Sequence, residues 1–500
     1  MPKKRYRFPP RKMRPVTNVL SDEEAVNTQI GKEIRERLLE HPGESGVHPL
    51  QNSHDAFAAR ALLAQTAEKT LDVQYYIWKN DLTGTLLFKA LLDAADRGVR
   101  VRLLLDDNGI SGMDKDLATL NFHANIEVRL FNPFTIRTPK WLGFLTNFSL
   151  LNRRMHNKSF IADNQAAIVG GRNIGDEYFG AGSGHLFTDL DVLLIGPVVK
   201  EISDDFDKYW NSPPSIPVDQ IVRNPGKRGY ENLIEKSSGI EKDPASSEYV
   251  DAIRKSSFVQ DLFSGELRME WAVTRLVSDD PAKVLGKSKK EQLLTHQVRR
   301  IIGWPKQEVV LVSPYFVPTE AGVEVFIQMV ESEVEVRILT NSLDATDVKI
   351  VHAGYEKRRI ALLKAGIKLY EMKRVVTDSE FQKLAGPLGT SGSSLHAKTF
   401  SADRQRIFVG SFNFDPRSVN LNTEMGVVIE STALANDISD IFGSRVPANA
   451  YEVKLNKKGK LIWIEQNEGH KIIHKKEPET SFLKLIFIRF LSRLPIEWLL

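Results

Sequence analysis

Short apolar runs alternate with amphipathic stretches along the first part of the chain. Helices are predicted within 22–40, at Asp55–Thr70, where apolar residues share one side, and at Thr85–Arg97, which ends at a glycine. The runs between and after them are rich in β-branched, aromatic and aliphatic residues, which predicts strands at Leu71–Trp78, Val99–Leu105 and Ile126–Phe131. Strands that alternate with helices are typical of α/β layers, so an α/β fold is predicted.

The same order of elements returns in the second half of the chain. The runs E-V-V-L-V-S-P-Y-F at 308–316 and V-E-V-R-I-L at 334–339 match the strands predicted at 71–78 and 99–104, with offsets between 235 and 241. A whole βα unit is therefore duplicated. The duplication predicts two similar lobes related by a pseudo-twofold axis, with a functional site at their interface.

Five regions follow from these patterns. A basic N-terminal arm and polar lead-in, 1–50, precedes the first lobe at 51–212. A connector rich in Pro, Ser, Lys and Asp, 213–300, leads to the second lobe at 301–450. Residues 451–500 are expected to form a small β-meander followed by a C-terminal helix.

Two apolar segments point to a membrane. At 481–500, a helix that ends near Leu494, before a proline, spans roughly 20 Å, which is too short for a hydrocarbon core of ~30 Å. With its arginines on one face it is predicted to lie in the membrane interface, the alternative being a helix docked on the protein's own core. Residues 134–151 form either a membrane-dipping lip beside the site or an ordinary core helix. No spanning helix is predicted.

Composition narrows the possible partners. The 500 residues carry 68 Lys and Arg against 64 Asp and Glu, and seven of the basic residues fall within 1–15. The rest of the chain is slightly acidic, so no nucleic-acid partner is expected. The basic arm suits an anionic surface, or it is a solvated tail or a targeting signal. The absence of cysteine excludes disulfides, thiolate metal sites and cysteine nucleophiles. No cleavable signal peptide is visible.

One stretch of the chain occurs twice. M-H-N-K-S-F-I-A-D-N-Q-A-A-I-V-G-G-R-N at 155–173 and L-H-A-K-T-F-S-A-D-R-Q-R-I-F-V-G-S-F-N at 395–413 share five residues at identical spacing. The shared residues are His156, Lys158, Asp163, Gly170 and Asn173 in the first copy, and His396, Lys398, Asp403, Gly410 and Asn413 in the second. The two aspartates are expected to fix local turns, and Ser411, which replaces the second glycine of the first copy, is expected to support the motif with the glycines.

The repeated residues suit the chemistry of a phosphodiester. In a strand, residues two apart point to the same side, so each histidine emerges together with its lysine. Two lysines supply positive charge and two asparagines supply neutral donors for phosphate oxygens. One histidine can attack while the other donates a proton to the leaving group. Charge stabilisation comes from the lysines, so neither a metal ion nor a cofactor is expected.

A nucleophilic imidazole needs its second nitrogen held in place. A carboxylate follows each motif in matching context, Asp189 in T-D-L and Glu424 in T-E-M. Each is expected to accept a hydrogen bond from a histidine Nδ1 and so fix the tautomer. Asp191 competes with Asp189 for this role.

The paired H-x-K-x-x-x-x-D motifs, each followed by G-G/S-x-N, resemble the signature of the phospholipase D superfamily. Softer markers, including Y-Y-I-W at 75–78, S-D-D-P-A-K at 278–283 and S-P-Y-F-V-P at 313–318, resemble the bacterial cardiolipin synthases of the subtype called C. The resemblance implies one active site between two lobes, with His156 as nucleophile and His396 as acid and then base, although the pseudosymmetry leaves the reverse open. Tyr76 and Tyr315, in two of these markers, are expected to bind substrate.

The resemblance implies a phosphatidyltransferase that makes cardiolipin from phosphatidylglycerol and a second phospholipid, with phosphatidylethanolamine as a possible donor, through a phosphatidyl-histidine intermediate. It also implies a peripheral protein on an anionic membrane surface, the bacterial inner membrane. A hydrolytic phospholipase D would use the same chemistry. A nuclease would as well, but it is the less favoured alternative. A catalytically inert membrane-binding scaffold is the alternative from another class, and the two intact motifs argue against it.

Overall fold

A computed structural model describes the chain from residue 17 to 480. The gaps are 182–185, 347, 375–392, 468–469 and most of 224–243, and Ser492 is described as well. The basic arm at 1–15 and the helix predicted at 481–500 therefore lie outside the described residues.

The first lobe is an α/β unit whose described strands form a nine-stranded sheet and half of a small interlobe ribbon. The strands are β1 Ser45–Leu50, β2 Thr70–Ile77, β3 Arg100–Gly109, β4 Ile126–Phe131, β5 Ser159–Ala162, β6 Ala166–Gly170, β7 Leu186–Thr188, β8 Asp191–Ile195, β9 Ser215–Pro217 and β10 Glu270–Ala272. The helices are α1 Asp22–Val26, α2 Gln29–Glu40, α3 Ser53–Thr66, α4 Leu82–Asp96, α5 Asp114–Leu120, α6 Leu142–Leu151, α7 Asp176–Phe179, α8 Pro197–Trp210, α9 Pro244–Arg254 and α10 Ser257–Ser264.

The second lobe has a ten-stranded sheet within the described range. Its strands are β11 Thr274–Ser278, β12 Glu308–Val312, β13 Glu335–Asn341, β14 Lys368–Met372, β15 Ser393–Leu395, β16 Thr399–Ala402, β17 Arg406–Gly410, β18 Met425–Ile429, β19 Ala450–Leu455, β20 Leu461–Asn467 and β21 His470–His474, of which β15 lies in the ribbon. Its helices are α11 Leu294–Ile302, α12 Thr319–Glu331, α13 Lys349–Lys364, α14 Pro416–Asn420, α15 Thr432–Ser444 and α16 Val446–Asn449.

The two sheets share one core order. The first runs β10-β1-β8-β6-β5-β2-β3-β4-β9, and the second runs β11-β18-β17-β16-β12-β13-β14-β19-β20-β21. In each lobe the strand before the first helix of the repeat pairs in parallel with the next strand, and the motif hairpin joins it from the other side, antiparallel. The α/β fold with two similar lobes is thus as predicted.

Two local features differ from the sequence pattern. The single helix predicted within 22–40 is two helices, because Thr28 begins α2 by accepting a hydrogen bond from the backbone N–H of Gly31. The segment expected to be a connector contributes edge strands, β9 and β10 to the first sheet and β11 to the second.

The lobes meet along an apolar seam. Side chains from β6 and β8 pack against side chains from β17 and β18 in one buried cluster, which includes Val169, Val192, Val409, Met425 and Val427. The ribbon of β7 and β15 crosses this seam as a parallel pair, with Phe187 opposite Ser394. Both motifs border the seam, so the duplicated hairpins face each other. Among the described residues, no helix has the length and apolar character needed to cross a membrane.

Candidate active site at the lobe interface

Each motif histidine is attached to the opposite lobe through its backbone. The N–H of His156 donates to the carbonyl of Thr423 at 2.8 Å, and the N–H of His396 donates to the carbonyl of Thr188 at 2.8 Å. These two threonines precede the two carboxylates singled out in the sequence. The seam therefore brings each histidine beside the carboxylate of the other lobe.

The side chains repeat this crossed pairing. His156 Nδ1 lies 2.8 Å from Glu424 Oε2, and His396 Nδ1 lies 2.5 Å from Asp189 Oδ2. An ionised carboxylate only accepts hydrogen bonds, so each Nδ1 carries the hydrogen and each Nε2 keeps its lone pair for chemistry. Each motif histidine is therefore paired with the carboxylate of the opposite lobe.

Both motif lysines are buried and bind the backbone of their own histidine. Lys158 Nζ donates to the carbonyl of His156 at 2.6 Å, and Lys398 Nζ donates to the carbonyl of His396. Lys398 Nζ also lies 2.9 Å from His396 Nδ1. Because that nitrogen already donates to Asp189, we interpret this as a charge contact rather than a hydrogen bond.

Burial keeps both imidazoles neutral near pH 7. Desolvation lowers the pKa of His156 to about 4 and outweighs Glu424, which raises it. Burial, followed by the charge of Lys398, also lowers the pKa of His396. Desolvation lowers the pKa of Lys158 to about 7. An anion bound between the lobes would act in the opposite direction, because it favours the charged forms of the same groups.

The carboxylates stay ionised despite their burial. Burial raises the pKa of Asp189, but Lys398 and His396 outweigh it and hold that pKa well below its usual range. Burial also raises the pKa of Glu424, but His156 and Lys158 outweigh it, so that pKa is lowered. Asp191, the competing candidate, instead forms a buried ion pair with Arg60 at 2.7 Å.

Hydroxyl groups surround Glu424. Ser411 Oγ donates to Oε2 at 2.5 Å, and Ser418 Oγ donates to Oε1 at 2.9 Å. Glu424 therefore accepts three hydrogen bonds when His156 also donates to Oε2. The equivalent of Ser411 in the first lobe is Gly171, where an added Cβ would lie 2.1 Å from Asp189 Oδ1. That glycine leaves room for the carboxylate of Asp189.

The two asparagines of the motifs differ in their contacts. Asn173 Oδ1 accepts from the N–H of Ile77 at 3.1 Å, and its Nδ2 donates to the hydroxyl of Tyr178 at 3.1 Å. Asn413 is buried, and its Oδ1 has no hydrogen-bond partner within the described part of the chain. The side-chain amide of Asn413 therefore makes fewer hydrogen bonds within the protein than that of Asn173.

Aromatic rings line the histidines. The ring of Tyr76 meets His156 edge-on at 5.0 Å between centroids, and Lys158 Nζ lies 5.6 Å from the same ring. Its hydroxyl accepts from Asn108 at 3.2 Å. Tyr315 is half-buried at the corresponding turn of the second lobe.

The remaining motif residues shape the hairpins. Asp163 accepts the backbone N–H groups of 68–70, and Asp403 accepts those of 306–308. Each aspartate begins a two-residue turn with positive φ at both positions. Glycine is required at 170 and 410, where a Cβ would lie 2.2 Å from Asp191 Oδ1 and 2.4 Å from the carbonyl of Met425.

Comparison with known proteins places this geometry in a family. Residues 61–210 and 298–446 each match the family described as "Cardiolipin synthase, PLD-like domain". The chain belongs to this cardiolipin synthase family. The resemblance to the phospholipase D superfamily is thereby confirmed. Each of the two matched ranges contains one copy of the motif.

Relatives of this cardiolipin synthase-like chain cover nearly its whole length. It is 50% identical over 461 residues to "Cardiolipin synthase C" of Escherichia coli (strain K12), covering 92% of this chain and 97% of that protein. It is 34% identical to an uncharacterized protein of Helicobacter pylori (strain J99), covering 94% and 93%. The crystal structure of a phosphatidylserine synthase from Haemophilus influenzae matches 94% of this chain and 99% of that one, with a TM-score of 0.56 and 13% identity. That likeness supports the two-lobed fold.

Several residues beside the site are missing from the sequence prediction. His396 packs against the rings of Tyr178 and Phe187, at 5.3 and 5.0 Å. Asp279 Oδ2 accepts the backbone N–H of Glu424 at 3.0 Å and the ammonium of Lys283 at 2.8 Å. Asp279 and Lys283 both belong to the S-D-D-P-A-K marker at 278–283. The sequence therefore singled out this segment, but it did not show that the two residues form an ion pair behind Glu424.

Proposed function

We propose that this protein is a phosphatidyltransferase that makes cardiolipin from phosphatidylglycerol and a second phospholipid through a covalent phosphatidyl-histidine. The observation that carries the proposal is the crossed arrangement, in which two neutral imidazoles with fixed tautomers each accompany a buried lysine of the same motif. The 50% identity to a cardiolipin synthase supports the same activity.

In the first half-reaction, His156 Nε2 attacks the phosphorus of the donor lipid. The new N–P bond forms as the bond between phosphorus and the headgroup oxygen breaks. Protonated His396 gives its Nε2 proton to the leaving oxygen, so a neutral alcohol departs. The alcohol is glycerol from phosphatidylglycerol, or ethanolamine if phosphatidylethanolamine is the donor. Lys158 and Lys398 stabilise the charge on the non-bridging oxygens.

Binding of the donor prepares His396 for this role. Burial, followed by the charges of Lys398 and Lys158, lowers the pKa of His396 in the free protein. The phosphodiester anion offsets those charges, which raises that pKa and lets the imidazole hold a proton. His156, held by Glu424 through its Nδ1, keeps a free lone pair on Nε2.

In the second half-reaction, a hydroxyl of phosphatidylglycerol replaces the departed alcohol. His396 takes its proton, the oxygen attacks phosphorus, and the N–P bond to His156 breaks. Cardiolipin leaves, His156 is neutral again and His396 has recovered its proton. Water as acceptor would give phosphatidic acid instead.

The test offers labelled phosphatidylglycerol, with and without phosphatidylethanolamine, to the wild type and to His156→Ala. Cardiolipin formed by the wild type alone supports the proposal, and an increase with phosphatidylethanolamine supports that lipid as donor. Phosphatidic acid as the only product would make the protein a hydrolase. Activity that survives His156→Ala would contradict the assigned nucleophile.

The proposed lipid substrates also favour a location on the bacterial inner membrane, as a peripheral protein. Fractionation of cells with a high-salt and a carbonate wash tests this. Release of the protein by carbonate is expected, and recovery in the soluble fraction without any wash would contradict it.

A further inference from the structure

Helix α6 exposes an apolar face to solvent. Trp141, which directly precedes α6, and Leu145 and Phe148 within it are 61%, 75% and 43% exposed. A kink at Asn147 separates Leu145 from Phe148, and the exposed side chains lie on both sides of it. Exposed apolar side chains are common singly, but a cluster of large ones within eight residues indicates a contact with an apolar partner.

The rest of the segment is fixed firmly to the first lobe. The carboxylate of Asp107, fully buried, binds Arg137 at 2.5 Å and Lys140 at 2.9 Å, and it accepts the backbone N–H of Phe134 at 2.7 Å. Phe134, before α6, and Leu151, its last residue, are buried. The outward face therefore contributes little to holding the helix in place.

A basic loop lies beside the end of α6. Arg153, two residues after the helix, donates to the carbonyl of Lys283 at 2.9 Å, and a Cβ at Gly286 would lie 3.8 Å from its guanidinium. The next residues, G-K-S-K-K-E at 286–291, hold three exposed lysines and one glutamate. An apolar face thus borders a loop with a net positive charge.

This surface adjoins the seam that holds the motifs. Asn152, which ends α6, accepts hydrogen bonds from the guanidinium of Arg417 in the second lobe, at 2.7 Å to Oδ1 and 2.9 Å to its carbonyl. His156 follows four residues later. At ~3.3–3.6 Å per residue, Phe148 and His156 are separated by less than about 29 Å of chain.

We propose that α6 and the loop at 286–291 form the surface by which the protein binds an anionic bilayer next to its active site. Aromatic and aliphatic side chains insert at the headgroup level, and lysines are attracted to anionic lipids. The choice of a bilayer as the partner rests on the proposed function in one respect, which is that the lipid substrates reside in such a bilayer. The charge of the loop favours a membrane over an apolar protein partner.

The lack of cysteine allows a direct test. Leu145→Cys provides one attachment site for an environment-sensitive fluorophore in the full chain. Vesicles of phosphatidylglycerol and phosphatidylcholine are expected to shift its emission to the blue, and phosphatidylcholine alone much less. Ile473→Cys, at an apolar residue 58% exposed on β21, is the matched control and is expected to show no shift. No shift at 145, or an equal shift at both positions, would overturn the proposal.

Binding measurements separate the two parts of the surface. Leu145→Gln with Phe148→Gln, and Lys287→Glu with Lys289→Glu and Lys290→Glu, are each expected to weaken binding to the anionic vesicles by roughly tenfold or more. The control replaces the exposed lysines 457, 458 and 460 with glutamate and is expected to bind normally. Unchanged binding in both test variants would place the membrane contact elsewhere on the chain and refute the surface.

Turnover of detergent-dispersed phosphatidylglycerol distinguishes this inference from the proposed function. Variants of α6 are expected to keep that turnover while losing activity on vesicles. If the wild type makes no cardiolipin but the label at 145 inserts, the function fails and the surface stands. If cardiolipin forms and the label does not insert, the surface fails alone.

Discussion

The two half-sites differ although their motifs are nearly identical. His156 pairs with a glutamate whose oxygens are also bound by Ser411 and Ser418. His396 pairs with an aspartate that accepts no serine hydroxyl among the described residues. The ring of His396 packs against the rings of Tyr178 and Phe187, which also contact each other. The hydroxyls fix the orientation of Glu424, and so of the imidazole it holds. The difference favours His156 for attack on phosphorus, which needs an exact direction, and His396 for proton transfer.

The largest effect is expected from the histidines themselves. His156→Asn and His396→Asn should each lower turnover by roughly 10⁴-fold or more. A phosphatidyl ester of p-nitrophenol separates them, because its leaving group needs no proton. His396→Asn should then accumulate an acid-labile phosphoryl label, and His156→Asn should not. The opposite pattern of labelling would exchange the two roles.

The next effect concerns the crossed carboxylates. Asp189→Asn and Glu424→Gln should each reduce turnover by about 10³-fold, since an amide no longer fixes the imidazole tautomer. The pH dependence should differ. Asp189 raises the pKa of His396, so its loss lets His396 release its proton at lower pH, and the basic limb of kcat/KM moves down.

Glu424→Gln serves as the contrast in that pH measurement. Glu424 raises the pKa of His156, which is still only about 4, so removing the charge lowers it further. His156 is deprotonated throughout neutral pH in either case, and the basic limb should stay in place. If the limb moved in Glu424→Gln and not in Asp189→Asn, the assignment of His396 as the proton carrier would be wrong.

Sequence patterns predicted the α/β class, the duplication and all the paired motif residues, because these depend on local periodicity and on repeated spacing. They did not predict which carboxylate meets which histidine. That pairing joins residues 268 and 207 positions apart and depends on how the lobes face each other. The rings around His396 and the ion pair behind Glu424 were missed for the same reason. Within 22–40, the pattern predicted one helix, but Thr28 caps the start of a second helix and so divides the segment in two.

A smaller effect tests the serine and glycine that distinguish the half-sites. Ser411→Gly removes one hydrogen bond to Glu424 and should cost about tenfold in kcat. Gly171→Ser should cost more, on the order of 100-fold, because its Cβ would lie 2.1 Å from Asp189 Oδ1. Gly443→Ser, at a position open to solvent, is the control. Equal losses in the two test variants would mean that the half-sites are interchangeable.

The smallest effect on turnover is expected at Asp415, a second carboxylate beside Glu424 with no counterpart at Gly175 in the first lobe. Burial, followed by the charge of Glu424, raises the pKa of Asp415 to about 7. The folded state therefore binds a proton that the unfolded state releases near pH 4, so this residue lowers stability progressively as pH rises from about 4 to 7.

Asp415→Asn removes that titration and keeps the acceptor for the N–H of Ser418, which begins α14. Its free energy of unfolding should equal that of the wild type near pH 4 and exceed it by about 2–4 kcal/mol at pH 8. Urea unfolding at a series of pH values measures the difference. Asp440→Asn, at an exposed position, should show no such trend. A gain in stability that does not depend on pH would mean that Asp415 is ionised in the folded protein, and that Glu424 tolerates a neighbouring charge that Asp189 lacks.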